Sequence, residues 1–458
     1  MIIEFSVGNY LSIKDPITLS MLASNSVKEL EGEGNDLNNV FYDFGEKNKY
    51  LKSSVLYGAN GSGKSNLLSA IGFFRSFILY SSNDRQGDDK IDVIPFLLSS
   101  ETENSPSSFE MIFAIDDVRY RYGFEVTKEN ITAEWLFVLD LKTGTKESNF
   151  FTREKQNINV LGRNFKEGKG LESKTRPNAL FLSTVAQLNG EQATKIQKWF
   201  KRTINIISGL EDSTTGYTIG RFQSELDFKK KIIDFIKLID LGIEDIKIEE
   251  KVFTEFASKI APNGKTSDKI ASLLEELQKE IKGADDAKEI TINAYHKKYG
   301  NDNTIIENVP MDFGLESRGT QKLFALLGPL LDTIENGKIL IVDELDSRLH
   351  TKLTIELLKI FESKINKKNA QLIFASHDTN LLRGDLFRRD QIWFAEKNPI
   401  GATDLYSLVE YKINKEISVR NDASFEKDYL IGKYGAIPYF GNIEKFLNEF
   451  VNEQQEVR

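Results

Sequence analysis

Gly58-Ala59-Asn60-Gly61-Ser62-Gly63-Lys64-Ser65 is the segment that most restricts what this chain can become. It follows a short apolar run, Ser54-Val55-Leu56-Tyr57, that suits a strand, and precedes Asn66-Leu67-Leu68-Ser69-Ala70-Ile71, which suits a helix. Glycines between a strand and a helix let backbone N–H groups converge on phosphate oxygens, and the helix N-terminus adds its partial positive charge. The spacing G-x-x-x-x-G-K-S is that of a loop for a nucleoside triphosphate. On this reading Gly58, Asn60, Gly61, Ser62, Gly63, Lys64, Ser65 and Asn66 hold ATP, with Lys64 reaching the β- and γ-phosphates and the Ser65 hydroxyl ligating Mg²⁺.

Far along the chain, Lys338-Ile339-Leu340-Ile341-Val342-Asp343-Glu344 supplies what such a loop lacks. A β-branched and leucine run ending in two acids predicts a buried parallel strand that delivers charge to the carboxyl edge of a sheet. Asp343 is expected to hold the Mg²⁺ shell, and Glu344, pointing the other way along the strand, to orient or deprotonate the attacking water.

Three more features follow the same plan. Leu345-Asp346-Ser347 comes directly after the paired acids, and Gln371-Leu372-Ile373-Phe374-Ala375-Ser376-His377-Asp378 is another apolar strand, one helix and one strand later, which places His377 on the neighbouring strand edge. Upstream, Glu316-Ser317-Arg318-Gly319-Thr320-Gln321-Lys322-Leu323 opens a helix that Ser317 or Thr320 can cap, and its N-terminus is a further anion site.

This order of phosphate loop, capped helix, acid strand, Asp turn and His strand resembles the ABC-type ATPases, especially their soluble SMC-like branch. The resemblance implies an α/β fold: an ABC-type P-loop ATPase core with an antiparallel β subdomain and a helical insertion. It makes Asp346 the D-loop residue and His377 the switch histidine, catalytic together with Lys64 and Glu344. It also places Ser317, Arg318, Gly319, Thr320 and Gln321 in the signature that contacts ATP held by an opposite subunit. Aligned on Gly319-Thr320-Gln321, the usual serine position holds Arg318; either Ser317 supplies the hydroxyl or Arg318 contacts phosphate through its planar fork.

Within that branch the chain is most similar to abortive-infection ATPases of bacterial antiphage systems, of the AbiL and RloA type, related to the ATPase half of overcoming-lysogenization-defect proteins. The strings that carry this likeness are Met1-Ile2-Ile3-Glu4-Phe5-Ser6-Val7-Gly8-Asn9-Tyr10-Leu11-Ser12-Ile13, Pro177-Asn178-Ala179-Leu180-Phe181-Leu182-Ser183 and Tyr429-Leu430-Ile431-Gly432-Lys433-Tyr434-Gly435-Ala436-Ile437-Pro438. It implies a homodimer or higher homo-oligomer, a separate nuclease or toxin effector (TOPRIM-like or other), and a phage protein as trigger. The residues after His377 lack the glutamate and Asp-x-Asp pair that a TOPRIM nuclease needs for two metals, so no nuclease activity is expected in this chain. The alternative is an SMC-like ATPase acting on DNA ends in repair or restriction, which salt-sensitive stimulation by DNA ends would reveal.

Composition limits the remaining classes. Cysteine is absent and there are only three histidines, so disulfides, thiol chemistry and clustered zinc ligation are not expected. Glu4 lies within the first strand without a basic region before a long apolar core, so no signal peptide is expected, and no apolar run approaches the about 18 residues of a membrane span. A cytoplasmic protein without membrane partners follows as the expectation. The net charge of −9 weighs against general nucleic-acid binding, although Lys229-Lys230-Lys231, Lys364 with Lys367-Lys368, and Arg383 with Arg388-Arg389 leave local basic patches and DNA as an open partner.

The expected organisation is a first core half at residues 1–187 with the phosphate loop, a helical insertion or lid at 188–305, a second core half at 306–400, and an extension at 401–458 that completes the core or forms an interface. Period-2 patterns predict a strand pair in the first 20 residues, a hairpin from Ser108–Ile115 to Arg119–Val126 through Asp116-Asp117, and a strand at Trp135–Val138. Steps of three and four predict helices at Phe228–Ile239 and Ile270–Ile281, and amphipathic spacing predicts one at Asn442–Val451.

Overall fold

The computed structural model describes residues 1–27, 38–42, 48–83, 89–208, 214–239, 242–252, 288–413, 417–420 and 423–438. The chain divides into two units, Met1–Glu211 with Leu330–Arg458, and Asp212–Pro329. The helices expected at Ile270–Ile281 and Asn442–Val451 lie outside the described residues.

The first unit contains a six-stranded sheet in the order β11 (Ile204–Ser208), β15 (Ile339–Asp343), β16 (Gln371–Ala375), β5 (Ser53–Tyr57), β17 (Ile392–Lys397) and β18 (Thr403–Ser407). The first five strands are mutually parallel and β18 closes the edge antiparallel. β5 and β16 are buried at every residue, because a parallel sheet is covered on both faces, and so they read as unbroken apolar runs. Register pairs Val342 with Phe374, Ala375 with Leu56, and Phe394 with Tyr57. The carboxyl ends of the acid strand, the histidine strand and the phosphate-loop strand therefore share one edge, where ligands of open α/β sheets bind.

A second, wholly antiparallel sheet runs β10 (Asn157–Val160), β9 (Ser148–Glu154), β8 (Ile131–Asp140), β7 (Val118–Val126), β6 (Ser107–Ile115), β1 (Ile2–Gly8), β2 (Ile17–Ser20). The β6–β7 hairpin turns at Asp116-Asp117, with Asp116 in the left-handed region at φ 53°. Helix α1 (Lys64–Tyr80) joins the two sheets: Phe74 meets Phe5 of β1 edge-on at 5.7 Å and stacks on Phe124 of β7 at 5.2 Å. Ile341 and Ile373 of the parallel sheet belong to the same core. Helices α2 (Phe181–Gln187) and α3 (Glu191–Thr203) pack beside α1, and two-stranded ribbons form from β3 (Val40–Tyr42) with β4 (Lys49–Leu51) and from β19 (Lys412–Ile413) with β20 (Ile417–Ser418). Helices α7 (Thr351–Phe361) and α8 (Phe425–Leu430) also belong to this unit.

The Pro177–Ser183 string is held by a buried ion pair. Arg153 of β9 and Glu134 of β8 are both wholly inaccessible and 3.5 Å apart. Glu134 accepts the N–H groups of Phe181 and Leu182 at 2.7 and 3.0 Å, capping α2, while Arg153 donates to the carbonyls of Ala179, Arg176 and Pro177. These contacts anchor α2 to the antiparallel sheet, and with the Tyr122 hydroxyl donating to Glu134 and Arg153 donating to the Lys155 carbonyl they satisfy the pair, which is the condition under which a buried pair is tolerated.

The second unit contains α4 (Thr215–Ser224), α5 (Leu226–Leu238), a three-stranded antiparallel sheet of β12 (Ile243–Val252), β13 (Lys288–Tyr299) and β14 (Ile305–Asp312), and the start of α6 (Arg318–Asn336). In α5, Phe228, Ile232 and Ile236 recur every fourth residue and are buried. Phe324 of α6 meets Phe222 of α4 at 5.9 Å and Phe313 at 5.1 Å. The sequence pattern anticipates α5 and not the three strands. Among the described residues, no helix is long and apolar enough to cross a membrane.

Candidate functional site

The phosphate loop forms because its glycines occupy conformations that a side chain would strain. Gly58 and Gly63 have φ of 153° and 108°, and a Cβ on either would collide, at Gly58 with the Ala395 carbonyl and at Gly63 with the Thr403 hydroxyl. Lys64, 5% exposed, folds back so that its ammonium donates to the carbonyls of Gly58 at 2.8 Å and Ala59 at 3.2 Å. Burial pushes the Lys64 pKa below its ordinary value, and the charges of Asp343, Glu344 and Asp346 oppose that shift. Ser65 and Asn60 are exposed at the loop, whereas the Asn66 amide donates to Ser12 Oγ at 2.7 Å.

The acids sit at the end of β15, with one departure from the expected strand geometry. Glu344 does not continue the strand, which ends at Asp343: it has φ 55°, so the chain turns there, and Ser347 N–H closes onto the Glu344 carbonyl at 3.1 Å. The cause is the Glu344–Arg348 turn, which also puts Arg348 at φ 62° and directs Leu345 N–H to the Ala375 carbonyl. Asp346 Oδ2 accepts the backbone N–H of His377 at 3.3 Å. His377 has its pKa lowered by burial and by Lys64, against the pull of Asp346, Glu344 and Asp343. Lys64 and His377 therefore both lie within electrostatic reach of Asp343, Glu344 and Asp346 at a single sheet edge.

Three polar atoms of this cluster, Ser62 Oγ, Asp343 Oδ1 and Asp346 Oδ1, are buried without a hydrogen-bond partner. Unsatisfied buried carboxylate oxygens are costly, and a hard cation that takes oxygen ligands satisfies them. The donor set of Asp343 with the Ser65 hydroxyl fits Mg²⁺, and the orphaned oxygens match a triphosphate–metal group in chemistry.

The expected signature segment belongs to the second unit. Ser317 is the residue that caps α6: its Oγ accepts the Thr320 N–H at 3.1 Å and pairs with Thr320 Oγ1 at 2.8 Å, so the buried Thr320 is committed to the cap. Arg318 is exposed and its guanidinium donates to Gln321 Oε1 at 3.1 Å. The Gln321 amide in turn donates to the carbonyls of Gly314 at 3.0 Å and Glu316 at 2.9 Å, and Gly319 is half-buried between them in sequence.

Two residues at the phosphate loop carry no signal in the sequence. Ser12, in the turn after β1, and Thr403, the first residue of β18, hydrogen-bond each other at 2.8 Å, and Thr403 Oγ1 donates to the Ser62 carbonyl at 2.9 Å. They lie 391 positions apart, so only the fold brings them together.

The family described as "AAA domain, putative AbiEii toxin, Type IV TA system" matches residues 53–383. No curated protein matches the chain. Similar solved structures include the SMC head domain from Thermotoga maritima, 12% identical over 89% of this chain and 98% of that one with a TM-score of 0.36. An SmcHead bound to the C-winged helix domain of ScpA is 13% identical over 91% and 99%, with a TM-score of 0.36. The recombination mediator protein RecF with ATP is 14% identical over 88% and 97%, with a TM-score of 0.29. Matched over residues 53–383, well over half its length, the chain belongs to this AAA-domain family.

Proposed function

We propose that the protein binds and hydrolyses ATP as the sensor and scaffold of a bacterial abortive-infection system, closing as a dimer around ATP and controlling a separate nuclease or toxin. The observation that carries the ATPase part is the convergence on Lys64. A buried ammonium is held by loop carbonyls and surrounded by three acids and a histidine, with two carboxylate oxygens unsatisfied. The defence part rests on the family description, which names an abortive-infection toxin and a toxin–antitoxin system, and on the AbiL, RloA and overcoming-lysogenization-defect resemblance.

In this reading the γ-phosphate displaces the Gly58 and Ala59 carbonyls from Lys64. Ser65 and Asp343 would hold Mg²⁺, which would supply charge neutralisation to the phosphate. Glu344 orients a water and takes its proton as the water oxygen bonds to the γ-phosphorus and the β–γ bridging oxygen leaves with ADP. His377, whose lowered pKa keeps the ring neutral at pH 7, offers a ring N–H to a γ-phosphate oxygen. Ser317, Arg318, Gly319, Thr320 and Gln321 meet the ATP of a second copy, so the closed dimer is favoured only with ATP bound and hydrolysis removes that bias.

The test is MgATP binding and turnover. Lys64→Ala is expected to abolish binding, and Glu344→Gln to keep binding while kcat falls by about 10² or more. The effector is then sought by co-purification of the neighbouring gene's product with ATP-loaded Glu344→Gln protein. Wild-type protein that binds no MgATP would end the ATPase reading; retention of no neighbour by the ATP-loaded form would end the scaffold reading alone.

A further inference from the structure

Behind the phosphate loop, four groups from three distant parts of the chain form a hydrogen-bond chain whose direction is fixed at both ends. The Asn66 side-chain nitrogen can only donate, and it lies 2.7 Å from Ser12 Oγ. The Ser62 carbonyl can only accept, and it lies 2.9 Å from Thr403 Oγ1. Between them Ser12 Oγ and Thr403 Oγ1 are 2.8 Å apart. The only assignment that satisfies all three contacts is Asn66 N–H to Ser12, Ser12 O–H to Thr403, and Thr403 O–H to the Ser62 carbonyl. A backbone bond from Thr403 N–H to the Ser12 carbonyl at 2.7 Å locks the two turns that carry the hydroxyls.

The end of this chain is a particular peptide plane. In a trans peptide the carbonyl and the following N–H point in opposite directions. Holding the Ser62 carbonyl toward Thr403 therefore turns the Gly63 N–H to the opposite side of that plane, away from Thr403. Gly63 is the last residue before α1, at φ 108°, and its side facing Thr403 has no room even for a methyl group. Thr403 is 2% exposed and Ser62 4%, so water does not compete for the bond between them.

We propose that Asn66, Ser12 and Thr403 are positioning residues for nucleotide binding: a one-way relay that sets the Ser62–Gly63 peptide so that the Gly63 N–H is presented to the phosphate. It deepens the ATP-binding reading and rests on it. Asn66 then acts on the loop from behind and touches no phosphate. Because the relay ends at a backbone amide, it serves the triphosphate and is indifferent to the base.

The experiment compares Thr403→Val, which keeps shape and removes the hydroxyl, with Thr403→Ser, which restores it, and reads the Kd for MgATP, the Kd for inorganic tripolyphosphate and kcat at saturation. Loss of one well-placed hydrogen bond is expected to weaken both ligands by the same factor, about tenfold. In Thr403→Val, kcat at saturation should stay within about threefold of the native value, since no group that meets the reacting atoms has changed. Thr403→Ser should bind as the native protein does. Native affinity in Thr403→Val, or weakening of ATP with tripolyphosphate unchanged, overturns the relay. If Thr403→Val does not fold, Ser12→Ala interrupts the chain one link earlier and must show the same parallel weakening. Failure of the unsubstituted protein to bind either ligand would instead count against the ATP reading itself.

Discussion

Glu362, at the end of α7, is a residue whose surroundings bear on stability at ordinary pH. It is fully buried; its Oε1 accepts from Ser53 and from Gln391 Nε2, and its Oε2 has no partner. Burial raises its pKa to about 7, against hydrogen bonds from Ser53 and Gln391 and the charges of Lys52 and Arg388. The folded protein thus keeps this proton to about pH 7, while the unfolded chain releases it near the ordinary carboxyl range. The contribution is fully present below the unfolded pKa and is lost as pH rises through the folded one, a decline of about 3 kcal/mol between roughly pH 4.5 and 7 for this group. Glu362→Gln, which fixes the neutral form, should be more stable than the native protein at pH 8 and should lack this part of the pH dependence. Urea midpoints of both proteins at pH 5 and pH 8 check it; parallel midpoints would mean the carboxyl is ionised in the fold.

At the scale of elements, the Glu134–Arg153 pair makes the sharpest demand. Arg153→Met would leave Glu134 buried without its cation while it caps α2, and breaking such a pair by removing one partner costs about 3–5 kcal/mol. Denaturant unfolding should show a loss of that size, and a variant within about 0.5 kcal/mol of the native protein would mean that α2 is anchored by Phe181 and its neighbours instead. Burial also explains which elements were legible beforehand. β5, β15 and β16 declare themselves because covered parallel strands must be apolar throughout, and α5 because one stripe faces a core. β12 reads Ile243-Glu244-Asp245-Ile246-Lys247-Ile248-Glu249-Glu250-Lys251-Val252 and β14 is exposed at nearly every residue, so neither carries a hydrophobic period to recognise. The catalytic candidates were legible because their chemistry requires fixed local spacing. Ser12 and Thr403 were not, because a lone serine and a lone threonine acquire meaning only when β18 and the β1 turn meet beside Gly63.

At the scale of the molecule, the phosphate loop and the signature segment lie in different units of one chain, and the proposal that they complete each other across two chains has a test that neither unit can pass alone. Lys64→Ala spoils the loop and leaves the signature intact; Gly319→Asp puts a bulky anion at the start of α6 and leaves the loop intact. Each variant by itself should be inactive, because in a two-fold dimer both sites inherit the defect. Mixed in equal amounts, half of the dimers carry one site built from a native loop and a native signature. Hydrolysis should therefore return to about a quarter of the native rate if the sites act independently. The Glu344→Gln protein should double in mass when MgATP is added and keep its mass when Lys64→Ala is combined with it, as light scattering will report. Doubling without complementation would place the shared surface elsewhere than the signature; complementation without doubling in Glu344→Gln would mean that the closed state needs hydrolysis chemistry intact. Absence of both would make the chain an ATPase with a complete site of its own, and the ATP-dependent step would then have to act within one copy.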